Sequence, residues 1–503
     1  MKKITIKRML TIFLGLILTT STFGCNKKES NRMYKDEPDY SNSNLQFEFY
    51  GYSGPSDGYY NEYGENFYTG EDYRTVERYK EYKDAGMTIN FPQLFGAIGY
   101  GNTPFEESAA KMVIDRAREA GIEKTILWDN RIHSISKKTE SNIGEGKLFA
   151  SEAELDAYIL DCLDDYMDYP GFYGVMIGDE PLYNHLDTYG EIARSIKRVA
   201  PQVFIHMNLV CCTSSYNKAF YGDDLDVTGL NPIQQRDAAW RRYLEKFLDE
   251  TGADYIQYDQ YPMYEQGITD AWMRGLQIAA EVARDRNVDL WVITQTMQMQ
   301  TPTEKQRLMT EADARWLNNM IVGMGADGIG YFTYWRKRDN NGTEFFHDNA
   351  SFISQYGQKT DMYYFMQKIM QEEQKLAPTI LNFKYNESTM YTVAPPFTYS
   401  SLHYLGVQKG TMQKIKSASV DKEAVFCSEL YDKTNNRYMY MLQNVIDPLN
   451  KGDEVLQTTT VTFSDEYNYA VVWKRGEKEL VKLDNHTYTV QQYPGEAVYV
   501  IPY

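Results

Sequence analysis

Between Phe47 and about Leu381 the chain alternates short apolar, β-rich runs with amphipathic stretches eight times over, and few folds accept that pattern. The runs are Phe47–Gly51, Thr88–Gln93, Thr125–Asp129, Tyr173–Gly178, Val203–Asn208, Tyr255–Asp259, Leu290–Thr294 and Gly328–Thr333. Each is compact and apolar, as parallel strands covered on both faces require. Helical patterns lie between them, among them Glu152–Met167, Tyr189–Val199, Ala239–Glu250, Ala271–Asp285 and Glu304–Met324. Several stop on Gly or Pro just before the next run, at Ala85-Gly86, Ala120-Gly121, Ala200-Pro201 and Thr251-Gly252. Eight such units joined by right-handed crossovers predict an α/β fold, a closed (β/α)8 TIM barrel over residues 45–382. The alternative is a doubly wound open sheet, but no Gly-rich dinucleotide fingerprint follows the first run.

After a last helical pattern at Asp361–Leu376 the texture changes. Apart from a weak helical stretch at Gln408–Ser417, alternating strands follow at Arg437–Asn444, Thr458–Phe463, Tyr469–Trp473 and Ala497–Ile501. Turn signals such as Thr434-Asn435-Asn436 and Pro494-Gly495 separate them, which predicts a small antiparallel β-sandwich over residues 383–503.

The N-terminus is read as a targeting signal. Lys2, Lys3, Lys7 and Arg8 precede a short apolar segment, Met9 to Leu18, which is too short to span a bilayer. Thr22-Phe23-Gly24-Cys25 then resembles a bacterial lipobox, although Phe23 is atypical there. Residues 1–25 are thus expected to be a lipoprotein signal, Cys25 the acylated residue, and polar residues 26–44 a tether to the outer face of a bacterial membrane. The net charge of −18 argues against nucleic acid and against anionic lipid heads as partners. Of five cysteines, four remain once Cys25 is set aside, without a CxxC pair or zinc-ligand spacing, so neither a metal nor a cofactor is expected. The 43 tyrosines suit surfaces that grip sugars, but a habit of overall composition would produce the same number.

In a barrel of this kind the chemistry sits at the carboxyl ends of the strands. The fourth run ends in Gly178-Asp179-Glu180-Pro181. Two adjacent carboxylates in a partly dry pocket repel, so one pKa should rise and leave a proton to donate. Their competing role, capping the next helix, is weakened because Asp187 is itself a good cap there. The sixth run ends in Tyr258-Asp259-Gln260-Tyr261, and the eighth leads into Tyr334-Trp335, where Trp335 either floors a sugar or fills core. Asp259 either acts in the site or only orients a neighbour. Trp128-Asp129-Asn130, His206, Asn208 and Gln295 complete the candidate lining. The seventh run carries Gln295 and no acid.

Asp179-Glu180-Pro181 at the end of the fourth run, with the barrel and terminal sandwich, resembles family 42 β-galactosidases in layout. That resemblance implies a carbohydrate substrate and Glu180 as acid/base; its nucleophile maps to no acid here. The adjacent Asp-Glu is also similar to family 20 and family 123 N-acetylhexosaminidases, in which the sugar's own acetamide attacks and the Asp steadies it. Tyr258-Asp259 resembles the Tyr-Asp of family 18 chitinases, which implies a tyrosine holding that acetamide. The expected activity is a glycoside hydrolase with Glu180, Asp179 and Asp259 as its acids. Asp259 as nucleophile or base and the acetamide in that role stay open. The rival is a non-catalytic glycan-binding lipoprotein on a degenerate barrel.

Overall fold

A computed structural model describes residues 37–503 apart from 63–64, 93–102, 301–304, 337–344, 347–349, 394–403, 405 and 450–455. Cys25, the Gln93 end of the second run and the expected helix start at Glu304 lie outside the described residues.

Seven parallel strands are formed among the described residues: β1 (Glu48–Gly51), β2 (Thr125–Trp128), β3 (Phe172–Asp179), β4 (Phe204–Asn208), β5 (Tyr255–Gln260), β6 (Asp289–Gln295) and β7 (Gly328–Phe332). They lie in two parallel ladders, in the orders β1-β7-β6-β5 and β2-β3-β4. Single parallel bridges link the ladders, Tyr50 with Ile89, Asn90 with Thr125, and Leu209 with Tyr258. Among the described residues the second run therefore pairs only through Ile89 and Asn90. Pro92, two residues on, has no N–H to donate to a ladder.

Helices α1 (Val76–Asp84), α2 (Ala109–Glu119), α3 (Asn130–Ser136), α4 (Glu152–Asp164), α5 (Leu186–Val199), α6 (Pro232–Thr251), α7 (Ala271–Arg286), α8 (Glu311–Gly323) and α9 (Asp361–Ile380) complete the α/β layer. Two begin away from the expected places because a cap decides. Asn231 and Gln234 form a capping box with Pro232 at the first position, so α6 starts well before Ala239. Thr310 and Asp313 form another, which delays α8 to Glu311. Asp187 caps nothing: α5 follows a tight turn over Tyr183–His185, and Asp187 pairs with Lys246 at 2.5 Å.

The C-terminal strands are β8 (Lys384–Thr392), β9 (Ile415–Val420), β10 (Ala424–Asp432), β11 (Arg437–Asn444), β12 (Gln457–Phe463), β13 (Tyr469–Lys474), β14 (Glu477–Lys482), β15 (Thr487–Gln492) and β16 (Ala497–Pro502). They form antiparallel sheets of order β8-β10-β11-β16-β13-β14 and β9-β12-β15, so Ile415–Ser417 is strand and not helix. Val425, Cys427, Leu442, Val461, Phe463 and Val498 fill the space between the sheets. On β12 buried and partly exposed residues alternate without a break, the signature of a sheet wet on one side. The opposite face of the larger sheet sends Phe426, Leu430, Met439, Met441 and Tyr499 into one core with Trp316 and Met320 of α8.

Candidate active site

Alternation along the parallel strands sorts their side chains into two sets. Phe49, Leu127, Val175, Ile177, Ile256 and Val292 pack under the helices, while Tyr50, Ile126, Met176, Tyr255, Trp291 and Ile293 meet on the other face. On that second face Gln257 Oε1 accepts from the Tyr50 hydroxyl at 3.0 Å, and His206 Nε2 lies 3.2 Å from the hydroxyl and 3.0 Å from Gln257 Nε2. Complete burial pushes His206 down to about 3, so it is a neutral spacer beneath the site.

Plain alternation would turn Asp179 toward the helices with Val175 and Ile177. A bulge prevents this: the register between β3 and β4 slips between Met176 and Gly178. Gly178 then faces α5 so closely that a Cβ would fall 2.2 Å from the Tyr189 ring. Ser136 Oγ fixes the bulge by donating to the Ile177 carbonyl at 2.7 Å. Asp179 is thereby delivered to Asn208, whose Nδ2 donates to it at 3.0 Å.

Glu180 follows in the left-handed region, at φ 47°. A non-glycine residue held there costs on the order of 1 kcal/mol, and such strain collects at functional sites. Its N–H donates to the Asn208 carbonyl at 2.8 Å, and the next carbonyl, that of Pro181, accepts from the Tyr243 hydroxyl at 2.5 Å. The two acids themselves are exposed.

Asp259 is their buried counterpart. Burial first, then the charges of Glu180 and Asp179, push its carboxyl well above the usual range, while the Tyr261 hydroxyl and Asn208 oppose this. Asp259 is thus a carboxyl that burial and two neighbouring acids hold high. Tyr261 donates to Asp259 Oδ2 at 2.8 Å and stacks on Phe332, with centroids 5.3 Å apart. Phe332 also meets Tyr52 at 5.7 Å, and Tyr52 packs on Phe91 at 4.5 Å. Burial and then the charges of Asp179, Asp259 and Glu180, with Tyr50, keep the Tyr52 phenol protonated. Three acids thus share a rim of rings, to which the half-buried Trp128 belongs. Cys211 joins them: after burial, Asp259 and Glu180 raise its thiol.

The other candidates lie elsewhere. Tyr258 is fully buried edge-on against Trp240 of α6 at 5.2 Å, because the residue before Asp259 must point to the opposite face. Asp129 caps α3 through the Arg131 N–H at 2.8 Å and holds the Arg131 guanidinium and the Tyr166 hydroxyl. Asn130 opens that helix. Gln295 is a strut, accepting from Met263 N at 3.0 Å and donating to the Met263 and Met297 carbonyls. Tyr334 packs on Tyr82 and Phe352, and Trp335, 1% exposed, lies on Tyr73. Beyond β7 the chain folds over α1, so both rings are core and Trp335 floors no pocket. Sequence reading missed Tyr52, Phe91, Phe332, Gln257 and Cys211. For Tyr52 and Gln257 the signal was there, since each stands two residues from a partner on the same face, Tyr50 and Asp259.

Neither a protein-family model nor a curated protein matches the chain. Solved structures similar to it in chain course include a glycoside hydrolase family 5 protein from Bacteroides vulgatus, 14% identical, TM-score 0.47, over 85% of this chain and 84% of that one. An Anoxybacillus alpha-amylase is 11% identical with a TM-score of 0.45, over 93% of this chain and 99% of that one. A family 30 subfamily 8 xylanase from Clostridium acetobutylicum is 12% identical with a TM-score of 0.40, over 92% and 97%.

Proposed function

We propose that the protein is a glycoside hydrolase acting on extracellular oligo- or polysaccharide, with Glu180 as the proton donor. The carrying observation is a carboxyl, Asp259, lifted by burial and then by two exposed acids from the end of β3, inside a rim of aromatic rings. Titratable groups forced apart in this way are the mark of acid–base chemistry. The bridges at Ile89, Asn90 and Leu209 support reading the eight parallel segments as one closed barrel over 45–382, followed by a sandwich domain from 383. Such a barrel would put all three acids at its reactive end.

The acetamide route is preferred to a protein nucleophile because β6 ends on Gln295, with no acid at its carboxyl end. In that route Glu180 gives its proton to the glycosidic oxygen as the C1–O bond breaks. The carbonyl oxygen of a 2-acetamido group bonds to C1 meanwhile, with Asp179 accepting from the acetamide N–H. Water then opens the ring and returns the proton to Glu180. Orientation of this kind is worth about 7–11 kcal/mol of barrier. Tyr258 is too deeply buried to hold the amide, and the hydroxyl of Tyr52 or Tyr261 takes that part.

The test is a substrate panel. Aryl N-acetylglucosaminides or galactosaminides should be cleaved far faster than the matching glucosides or galactosides, and a thiazoline analogue should inhibit competitively. Good turnover of plain galactosides, or a fluoro-sugar trapped on Asp259, would replace the acetamide with a carboxylate nucleophile. Binding without turnover on any glycan would make this a glycan-binding protein. Cys25 is read as the acylated residue. Wild-type protein should partition with membranes and Cys25→Ser should not; lipid-free wild type in the soluble fraction would refute the anchor. Among the described residues, no helix is long and apolar enough to cross a membrane.

A further inference from the structure

A two-stranded hairpin, Tyr59–Glu62 with Glu65–Tyr68, follows β1 at the end of the strands that carries the acids. Tyr59 and Tyr68 stand directly opposite each other in its register. Their rings stack with centroids 4.4 Å apart and planes 23° from parallel, yet they are 57% and 46% exposed. Two large rings left in water need a reason.

The base of the hairpin is fixed before anything binds. Gly58 sits at φ 82°, and a Cβ there would fall 2.0 Å from the Glu71 carbonyl oxygen. Its N–H donates to the Ser56 hydroxyl at 3.0 Å, and its carbonyl accepts from Thr69 N at 3.1 Å. Ser56 is fully buried and accepts from Tyr73 N at 2.9 Å. The next loop round, after β7, carries a third exposed ring, Tyr356 at 56%, and its neighbour Gly357 lies against Tyr73. Since β1 pairs with β7, the three tyrosines rise from adjacent loops. Tyr59 is seven residues beyond Tyr52. Chain length therefore keeps it within about 25 Å of Tyr52, whose phenol feels the charges of all three acids.

We propose that the Tyr59–Tyr68 stack is a distal platform for an uncharged pyranose of an extended glycan whose other units reach the acids, an inference that rests on the glycosidase reading above. Sugar rings present C–H faces that lie on aromatic rings, and the phenol tips meet hydroxyls. The surroundings turn anions away. Asp57, Glu71 and Asp72 flank the stack, and the arginines that follow in the chain are engaged, Arg74 with Asp72 at 2.9 Å and Arg78 with Glu81 at 2.7 Å. A nucleic acid or an acidic polymer would meet repulsion there, whereas a neutral sugar would not.

The test uses the full chain carrying Glu180→Gln, run in native gels containing galactomannan, arabinoxylan, hydroxyethyl cellulose or glycol chitin. Retardation is expected in at least one gel and should weaken about tenfold in Tyr59→Ala/Tyr68→Ala. Tyr59→Phe/Tyr68→Phe, which keeps the rings, should stay near the parent. With Glu180 intact, the alanine pair should leave turnover of an aryl monoglycoside unchanged. No retardation in any gel, or equal retardation of the alanine pair, overturns the platform. So does a loss of self-association in that pair by light scattering, which would make the rings a contact between copies. Hydrolysis without retardation fells the platform alone. Retardation that depends on the two rings, without hydrolysis by the wild type, fells the hydrolase reading and leaves the platform.

Discussion

At the amino ends of β6 and β7, Asp289 and Asp327 share one ammonium, Lys384 Nζ, at 3.1 and 2.8 Å. At the carboxyl ends of β3 and β5, Asp179 takes its donor from Asn208 and Asp259 takes its own from Tyr261. Both places lift a carboxyl, Asp327 half-buried and Asp259 buried. Burial raises Asp327 to about 6, with Lys384 pulling the other way, whereas Asp259 is driven up by burial and then by two more acids. One end balances its charge and contributes to holding the strands to β8. The other keeps three acids together, the feature on which the proposed chemistry rests.

The largest expected effect breaks that comparison at the acid end. Glu180→Gln keeps shape and removes the proton, so turnover of substrates with poor leaving groups should fall about 10²–10⁴-fold. An activated aryl glycoside should lose less, and steady-state rates near wild type on a natural glycan would sink the assignment. Next, Trp335→Ala should cost about 3–5 kcal/mol in denaturant melts, because the ring is core. A stable variant with impaired sugar binding would instead return Trp335 to the site.

Asp259→Asn should sharpen the contrast by stabilising the protein about 1–2 kcal/mol at pH 7. The folded pKa of Asp259 lies above the ordinary 3.8, so its stability contribution is whole below 3.8 and is lost as pH rises through the folded value. The gain should accordingly shrink at pH 4; equal melting shifts at both values would deny the repulsion. Smallest is Lys384→Met, worth about 1 kcal/mol or less because the lysine is half exposed. Asp327 has the same sign, losing its contribution between 3.8 and about 6, and without Lys384 that decline should run further. The deficit should be small at pH 4 and full at pH 8, and a deficit independent of pH would separate Lys384 from Asp327.

The parallel strands were legible because a compact apolar run is a local property. Tyr255–Asp259 and Gly328–Thr333 each fall within a residue of the strand that forms. Helix starts were less so, since Asn231 and Thr310 look like loop until their partners three residues on are read as caps. At the site, strand-end position drew attention to Asp179, Glu180, Asp259, Asn208 and Tyr261, which the structure does bring together. It failed for Tyr258, Asp129 and Trp335, because an end is not a face. Tyr258 could have been removed by period two alone. Asp179 could not have been placed that way, since its direction depends on the bulge at Gly178, and a bulge arises from packing on Tyr189.

Glu180 stands where glycine would sit at ease. Laboratory evolution for heat resistance or yield, with no sugar in the medium, would accordingly tend to replace this glutamate by glycine and gain on the order of 1 kcal/mol. The residue proposed to carry the reaction is thus one the scaffold would discard early in disuse. Its loss in such a neutral lineage, and its survival in one fed on glycan, would date the end of the activity without an assay.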